Sequence, residues 1–313
     1  MKTHLRIFLI FTRVWRSWEK FWFYSSSLKQ IQVFRCVQGL LLFCFYLTRS
    51  SDLSLFYSDF GILQGAVFPE IMHFPERYSL LNFFTGFVVL WIFHLSFLLS
   101  LLTMAFGIYP RFSAFLASVL HISFIHRNMA VAYGIDAIAT FFLLYLCFAE
   151  TKKTQSWMSS VLGSIFFRFS QIQVCVVYAY SGLEKLRGEK WWQGEAIWDV
   201  LANFQIARWD FSWMSNFPFI LSLATYATVL WEIYFPVLVW VPKCRRIILI
   251  LGVFLHFGIG LTISIPFFAM EMISSYLLFL KSEEIDTMLN AVEFFSSRIK
   301  IKVVRWVADE FFV

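Results

Sequence analysis

Apolar runs of about twenty residues recur along the chain, separated by connections that contain charged residues, proline or glycine. A run of this length is long enough for one α-helix to cross the hydrocarbon core of a bilayer. We therefore predict eight membrane spans, near residues 31–48, 80–106, 111–126, 133–149, 162–184, 217–241, 245–262 and 267–281. The pattern predicts an all-α membrane protein, folded as an eight-span helical bundle.

The N-terminal segment has a different pattern, because its basic and aromatic side chains separate onto two faces of a helix. Over residues 5–24, Arg13 and Lys20 fall on one face, whereas Trp15 and Trp18 fall on the other. The segment has no long apolar core and no small-residue cleavage site, so we do not expect a removable signal peptide. The pattern is typical of an amphipathic helix that lies on an anionic membrane surface.

The spans divide the chain into three parts. Residues 1–30 are expected to form the interfacial amphipathic helix, residues 31–281 the transmembrane bundle, and residues 282–313 a cytoplasmic tail. Within the tail, the stretch RIKIKVV at 298–304 fits either a β-strand or a basic strip against lipid headgroups.

The composition agrees with a membrane protein, since 59% of the residues are hydrophobic and only 15% are charged. Lys and Arg together outnumber Asp and Glu by 26 to 20, and they concentrate in the N-terminal segment and in alternate connections. This distribution predicts that both termini are cytoplasmic and that the number of spans is even. The basic excess then sets orientation, and we expect the lipid bilayer rather than nucleic acid as partner.

Other chemistries find little support in the sequence. The five cysteines are odd in number and include no C-x-x-C pair, so neither a structural disulfide nor a redox pair is expected. No H-x-x-x-H or H-E-x-x-H pattern occurs, and no metal site is predicted. The oligomeric state does not follow from the sequence.

Ionisable residues within the predicted spans are the main candidates for function, because each is costly in hydrocarbon and should face the protein interior or an interface. The set comprises His94, His121, His126, Arg127, Asp136, Lys185, Glu232, His256 and Glu271. We expect Arg127 and Asp136 to form a structural ion pair across the short connection between the third and fourth spans.

Lys185 lies near the end of the fifth span, on a helical face shared with Gln171, Tyr178 and Ser181. Two interpretations stay open. The first is a lysine that snorkels to the outer headgroups beside an aromatic belt that includes Trp192. The second is a desolvated amine that acts as a general base, since burial disfavours the charged form of an amine.

Two further residues face the interior of the predicted bundle. Glu232 shares one face of the sixth span with Thr228, lies well inside the apolar run and needs a partner there. His256 lies between Gly252 and Gly260 at intervals of four, so the two missing side chains allow a neighbouring helix to approach it. Both residues fit a catalytic role, and both equally fit an interhelical hydrogen bond that only fixes packing.

Several stretches between about residues 30 and 280 resemble the HTTM family, to which the membrane domain of vitamin K-dependent gamma-carboxylase belongs. They are FYSDFGIL at 56–63, PRFSAFL at 110–116, HRNMAVAYGID at 126–136, SGLEKL at 181–186, WWQG at 191–194, WEIYFP at 231–236 and VFLHFGIG at 253–260. The resemblance lies in their order and membrane positions together.

The resemblance implies a role for Lys185, which matches the carboxylase lysine that activates a reduced quinone. In the carboxylase the quinol reacts with oxygen to give a strong base, which removes a γ-proton from a peptide glutamate before carbon dioxide adds. For this chain the resemblance implies a cavity open to the outer side, with Lys185 above it and Glu232 and His256 lining it. It also implies a multi-pass protein of the bacterial inner membrane.

The sequence departs from the carboxylase in ending at residue 313, without a large soluble domain to hold a propeptide. We therefore do not expect processive carboxylation of a long substrate. The favoured hypothesis is an integral membrane enzyme, of carboxylase-like or quinol-dependent lyase or oxidoreductase chemistry, that acts on an exported peptide or a lipid. The alternatives are a non-catalytic membrane factor that binds or matures a secreted peptide, and a proton-coupled transporter.

The candidate site follows from these hypotheses. Lys185, Glu232 and His256 are the predicted catalytic residues. The predicted lining or binding residues are Tyr178, Ser181, Thr228, Arg127, Asp136 and Trp192. The sequence predicts that Lys185→Ala abolishes activity and leaves the melting temperature nearly unchanged.

Overall fold

The computed structural model describes residues 2–23, 28–62, 78–83, 86–149 and 157–298. Within these ranges the chain is helical, and no strand occurs apart from an isolated bridge between Ala207 and Ile263. The all-α prediction is thus confirmed for the described part of the chain. Residues 299–304, on which the choice between a strand and a basic strip in the tail depends, lie outside it.

Helices occupy all of the predicted spans. In chain order, the helices are α1 (Lys2–Phe23), α2 (Leu28–Thr48), α3 (Leu53–Tyr57), α4 (Phe87–Ala105), α5 (Pro110–Arg127), α6 (Gly134–Leu146), α7 (Trp157–Arg187), α8 (Glu189–Gln193), α9 (Ala196–Ala202), α10 (Pro218–Leu238), α11 (Pro242–Thr262), α12 (Pro266–Ser275) and α13 (Ser282–Arg298). Short 3-10 turns occur between them, and one of these, Tyr276–Phe279, directly continues α12.

Five of the described helical segments are long and apolar enough to cross a membrane. They are Leu28–Tyr57, Phe87–Ala105, Trp157–Arg187, Pro218–Leu238 and Pro242–Thr262. Two shorter apolar helical segments, Gly134–Leu146 and Pro266–Phe279, coincide with further predicted spans. The chain therefore has the helices of an integral, multi-pass membrane protein.

Proline explains several helix starts. Four helices begin with proline at their first position, where its missing N–H and fixed φ suit a helix terminus. They begin at Pro110, Pro218, Pro242 and Pro266. The second predicted span begins later than expected, at Phe87, because residues 80–82 form a separate 3-10 turn.

The chain divides into two compact units. The first unit comprises residues 1–170 and 280–313, and the second comprises residues 171–279. The boundary falls inside α7, which belongs to the first unit up to Ser170 and to the second from Gln171 onward.

In the first unit, α2, α4, α5 and α6 pack in sequence order around aromatic side chains. Tyr46, Phe97 and Phe124 are buried there, with edge or tilted ring contacts to one another. Gly39 permits the close approach of α2 and α4, because a Cβ on it would lie 2.8 Å from the Leu101 carbonyl oxygen.

The N-terminal helix α1 also belongs to the first unit. Its formation over Lys2–Phe23 agrees with the predicted helix. Phe11, Trp15 and Trp18 are all more than half exposed. The carbonyl of Phe21 accepts a hydrogen bond from the Arg168 Nε of α7 at 2.8 Å.

In the second unit, missing side chains bring helices together. A Cβ on Gly182 of α7 would lie 2.9 Å from Ile233 of α10. A Cβ on Gly252 of α11 would overlap the Tyr276 hydroxyl, and one on Gly260 would lie 3.1 Å from the Ala269 side chain. The predicted close approach at Gly252 and Gly260 is therefore confirmed.

Candidate functional site

Lys185 lies two residues before the end of α7, where helical spacing puts it on the face of Tyr178 and Ser181. Its Nζ donates to Ser181 Oγ at 2.6 Å. The same nitrogen lies 3.0 Å from Glu232 Oε1 and 2.8 Å from Oε2. The Lys185 side chain is 20% exposed and that of Glu232 only 10% exposed, so the pair is largely withdrawn from the surface.

The close packing of α7 and α10 places Glu232 within reach of this amine. A Cβ on Gly182 would lie 3.3 Å from the Glu232 Cβ, so only glycine leaves room for α10 at this level. Trp191 borders the amine on another side, with its ring centroid 5.1 Å from Nζ, which is within cation–π distance. The expectation that Glu232 needs a partner is met by Lys185.

A second group of polar side chains surrounds Tyr178. Its hydroxyl lies 2.8 Å from His256 Nε2 and 2.7 Å from the Tyr276 hydroxyl. All three side chains are buried, and the Tyr178 ring also packs on Trp231 and Phe235. The other ring nitrogen of His256, Nδ1, has no hydrogen-bond partner among the described residues.

The two groups belong to one site of the second unit. Tyr178 and Lys185 lie on the same face of α7, two helical turns apart. The charge of Lys185 interacts electrostatically with His256, and that of Glu232 with Tyr178 and Tyr276. An ion pair, an imidazole and two phenols therefore lie near one another between apolar helices of the second unit, and each of these groups is able to hold a proton.

Two predicted residues of the second unit lie outside this arrangement. Thr228 Oγ1 donates to the Ala224 carbonyl of its own helix at 2.8 Å. Trp192 is 64% exposed, and its Nε1 donates to the Leu186 carbonyl at 2.6 Å. The tryptophan beside the amine is Trp191 instead. Trp192 therefore belongs to the surface.

Arg127 and Asp136 belong to the first unit, and the predicted ion pair between them is wrong. Arg127 pairs with Asp59, through a contact of 2.6 Å from Nη2 to Oδ1. Asp136 pairs with Arg49 at 3.3 Å. Its Oδ2 also accepts from the Tyr133 N–H at 3.0 Å, because Asp136 caps the start of its own helix.

The two ion pairs of the first unit are embedded in dense hydrogen bonding. Arg127 also donates to the Tyr57 carbonyl at 2.9 Å and to Asn82 Oδ1 at 3.1 Å. Asp136 Oδ1 accepts from the Tyr46 hydroxyl at 2.7 Å. Arg127 fixes the connection around Tyr57 and Asp59 to the end of α5, and Asp136 fixes the start of α6 to α2. Both residues therefore have a structural role.

The remaining ionisable candidates are distributed between the units. His94 Nε2 lies 2.8 Å from Ser50 Oγ, and His121 Nδ1 lies 3.3 Å from Thr140 Oγ1. His126 Nδ1 lies 2.8 Å from the Tyr78 carbonyl oxygen. Glu271 is fully buried in the second unit.

Sequence reasoning did not single out Tyr276, although it completes the hydroxyl pair with Tyr178. Tyr276 is 98 residues away from Tyr178 in the chain and follows α12 without any motif. The one available signal was Gly252, whose missing side chain makes room for an unidentified neighbour, and that neighbour is Tyr276.

Among the described residues, no group of three or more His, Cys, Asp and Glu side chains is arranged to hold a metal ion. Comparison of the chain with protein-family models, with curated proteins and with solved structures returns no match in any of the three. The resemblance to the HTTM family thus stays a prediction based on the sequence stretches given above.

Proposed function

We propose that the chain is a multi-pass membrane enzyme of the HTTM type in which Lys185 acts as a base on a lipophilic, quinol-like substrate. The observation that carries the proposal is the position of the Lys185 amine. It lies at the end of an apolar helix, four-fifths buried, and touches a hydroxyl and a buried carboxylate. Buried ionisable groups in membrane helices are costly, and they persist mainly where function requires them.

The Lys185 amine can become neutral by transferring a proton to Glu232. One proton is shared by Lys185 and Glu232, and when it lies on the carboxylate, Nζ has a free lone pair. Nζ then takes a proton from a phenolic hydroxyl, and Glu232 retains the other.

The residues present fit a reduced quinone as cofactor. Trp231 and Phe235 form a pair of aromatic rings beside Tyr178, and His256 has a ring nitrogen without a hydrogen-bond partner among the described residues. When bound, the reduced quinone would supply the reaction with oxygen that generates a strong base, as the family resemblance implies. The residues of this chain would bind and orient it and would hold the proton at Nζ.

The finer topology belongs to the same proposal. Eight helical segments coincide with the eight predicted spans, and alternate connections are basic. This charge distribution agrees with an even number of crossings and with both termini in the cytoplasm. We propose that the protein lies in the inner membrane of a bacterium. The site would then be near the outer surface, where an exported peptide or a lipid is the substrate to be modified.

A second candidate is a non-catalytic membrane factor that binds or matures a secreted peptide. The observation that favours it is the same ion pair, because a lysine held by a carboxylate and a hydroxyl already has partners and no obligatory chemistry. In that case Lys185 contributes charge only. Arginine preserves charge and pairs well with carboxylates but does not act as a base at ordinary pH.

The test compares Lys185→Arg with Lys190→Arg, which changes an exposed lysine five positions further along the chain. The full chain in lipid nanodiscs receives reduced 2-methyl-1,4-naphthoquinone, a glutamate-containing peptide and labelled bicarbonate. Oxygen consumption above the protein-free rate and label incorporation into the peptide are measured. We expect Lys185→Arg to lower turnover by about 10²–10⁴-fold, the usual contribution of a general base, and Lys190→Arg to leave it unchanged.

Two results would contradict the proposal. Wild-type turnover in folded Lys185→Arg protein would favour the binding factor, and absence of quinol turnover by the wild-type protein would rule out this substrate class. Lys185→Ala is a poorer test than the sequence suggests. It leaves Glu232 without its cation, so we now expect a loss of about 2–4 kcal/mol in unfolding free energy.

A further inference from the structure

The inference concerns His256 and the two phenols beside it, and it rests on the function proposed above. His256 Nε2, Tyr178 Oη and Tyr276 Oη form a chain of two hydrogen bonds, of 2.8 and 2.7 Å. His256 is 4% exposed, Tyr178 is 2% exposed and Tyr276 is 4% exposed. Each hydrogen in the chain must therefore find its acceptor within the protein or in a ligand.

Three arrangements of the hydrogens keep both hydrogen bonds of a neutral chain. In one of them Nε2 and Tyr276 both donate to Tyr178, which leaves two groups unsatisfied, the Tyr178 hydrogen and the bare Nδ1 lone pair. The other two arrangements run in opposite directions along the chain. In the first, Tyr276 donates to Tyr178, Tyr178 donates to His256 Nε2, and Nδ1 carries the imidazole hydrogen. In the second, Nε2 donates to Tyr178 and Tyr178 donates to Tyr276. The Tyr276 hydroxyl hydrogen then lacks an acceptor, because the only hydrogen-bond partner of that hydroxyl among the described residues is Tyr178.

Counting unsatisfied groups decides between the two arrangements. The first leaves one group without a partner, the Nδ1–H of His256. The second leaves two, the Tyr276 hydrogen and the bare Nδ1 lone pair. A buried polar group without a partner is costly, so the first arrangement is favoured. A protonated imidazole also carries hydrogen on Nδ1, so this nitrogen is a donor in either charge state.

We infer that His256 Nδ1–H is a ligand-binding donor, and that the ligand presents an acceptor oxygen, such as a quinone carbonyl, to it. Tyr178 acts as a positioning residue, because its hydroxyl keeps hydrogen off Nε2. Tyr276 stabilises the Tyr178 hydroxyl without determining which ring nitrogen is protonated. A ligand with only hydrogen-bond donors would leave Nδ1–H unsatisfied and is disfavoured.

The test measures the protonation of the ring nitrogens directly. The full chain, labelled with 15N-histidine, is placed in lipid bilayers, and solid-state NMR distinguishes protonated from bare ring nitrogens. The spectrum of His256→Gln identifies the His256 signals among the 6 histidines. We expect hydrogen on Nδ1 in the wild-type protein and in Tyr276→Phe, and a mixture of both tautomers in Tyr178→Phe.

Ligand binding is tested on the same sample with two probes that share one methylated two-ring carbon skeleton. 2-Methyl-1,4-naphthoquinone has carbonyl acceptors, whereas 2-methylnaphthalene has none. We expect the quinone, and not the hydrocarbon, to shift the Nδ1–H proton resonance of wild-type protein and of Tyr276→Phe. His256→Asn, which places an amide donor near the position of Nδ1, should retain more quinone affinity than His256→Gln.

The outcomes separate this inference from the proposed function. A bare Nδ1 in the wild-type protein would overturn the hydrogen assignment, whatever the enzyme does. A protonated Nδ1 that does not respond to the quinone would overturn its role in ligand binding. Lys185-dependent quinol turnover would survive both results. Conversely, the wild-type protein could fail to turn over quinol while the quinone still shifts its Nδ1–H resonance. That result would contradict the proposed function and leave this inference standing.

Discussion

Asp136 in the first unit and Glu232 in the second are both buried carboxylates paired with a cation, yet they differ in how many donors hold them. Asp136 accepts from the Tyr46 hydroxyl, the Tyr133 N–H and the Arg49 guanidinium. Glu232 is held by the Lys185 amine and the Ser181 hydroxyl. The first carboxylate is held by three donors, whereas the second has two, which both lie on α7.

The cations of the two units differ as well, as Arg127, the partner of Asp59, shows by comparison with Lys185. Arg127 of the first unit is 3% exposed and donates to three acceptors, on Tyr57, Asn82 and Asp59. Lys185 is more exposed, and its flexible stem permits the ammonium to change partners. A charge held by three groups stabilises one structure, whereas a charge held by fewer groups is able to take part in chemistry. The comparison therefore favours the second unit as the location of the proposed function.

Histidines alone do not distinguish the units. His94 and His121 of the first unit also have a ring nitrogen without a hydrogen-bond partner among the described residues. His121 Nε2 lies 3.8 Å from Asp136 Oδ1, which is close to a carboxylate but beyond a normal hydrogen bond. What sets His256 apart is its hydrogen bond to the Tyr178 hydroxyl, which we infer determines which of its nitrogens carries hydrogen.

The comparison is tested most strongly by matched amide substitutions of the two carboxylates. Asp136→Asn removes the negative charge that compensates Arg49, whose side chain is 15% exposed, from a position that is itself fully buried. We expect the unfolding free energy to fall by about 3–5 kcal/mol. Glu232→Gln leaves Lys185 able to extend toward solvent, so the expected loss is about 1–2 kcal/mol. Thermal unfolding in the same detergent measures both.

An exposed ion pair provides the control for this experiment. Asp286 pairs with Lys29 at the surface, with both side chains more than one-third exposed. Asp286→Asn should therefore change the unfolding free energy by less than about 1 kcal/mol. Equal losses for Asp136→Asn and Glu232→Gln would mean that the two carboxylates are held equally, and the comparison between the units would fail.

A smaller effect is expected from glycines on α11. A Cβ on Gly252 would overlap the Tyr276 hydroxyl and lie 2.6 Å from Trp231, whereas one on Gly258 would meet nothing within 4 Å. We expect Gly252→Ala to cost about 1–3 kcal/mol through overpacking. Gly258→Ala should instead gain up to about 1 kcal/mol, since alanine favours helix.

The same pair of variants examines the site. The new methyl group in Gly252→Ala should displace the Trp231 ring, which we propose as a neighbour of the quinone, and so lower quinone affinity. Gly258→Ala should leave quinone affinity unchanged. Thermal unfolding and quinone titration check the two expectations. If Gly252→Ala is as stable as Gly258→Ala, the close packing around Tyr276 does not exist in the bilayer.

Much of the fold was predictable because helix periodicity and apolar length are local properties. Residues within one helix are placed by spacing alone, so the shared face of Tyr178, Ser181 and Lys185 was predicted correctly. The glycines on α11 were likewise interpreted correctly as a place of close approach. The start of the second span was misplaced, because an apolar stretch before Phe87 forms a turn that hydropathy does not detect.

Partners across helices were less predictable, because closeness in sequence is a poor guide to closeness in space. Asp136 was expected to pair with Arg127, nine positions earlier in the chain. Its cation is Arg49, 87 residues away, because the Asp136 side chain turns back to cap its own helix. Tyr276 was missed for the same reason, since no pattern links it to Tyr178.

The smallest expected effect separates two threonines on one face of α10. Thr225 is fully buried, and its Oγ1 both donates to the Leu221 carbonyl and accepts from the Ile197 N–H at 3.3 Å. Thr228 donates only to the Ala224 carbonyl of its own helix. Thr225→Val leaves a backbone donor without its partner, so we expect a loss of about 1 kcal/mol.

Thr228→Val removes no partner from another element, and its expected change in unfolding free energy is below about 0.5 kcal/mol. Valine matches threonine in shape, so the two variants differ only in the hydrogen bonds that each hydroxyl makes. Thermal unfolding and quinol turnover measure the outcome. A large fall in turnover for stable Thr228→Val would show that this hydroxyl contacts the substrate and would extend the site along α10, beyond the side chains that surround Lys185 and His256.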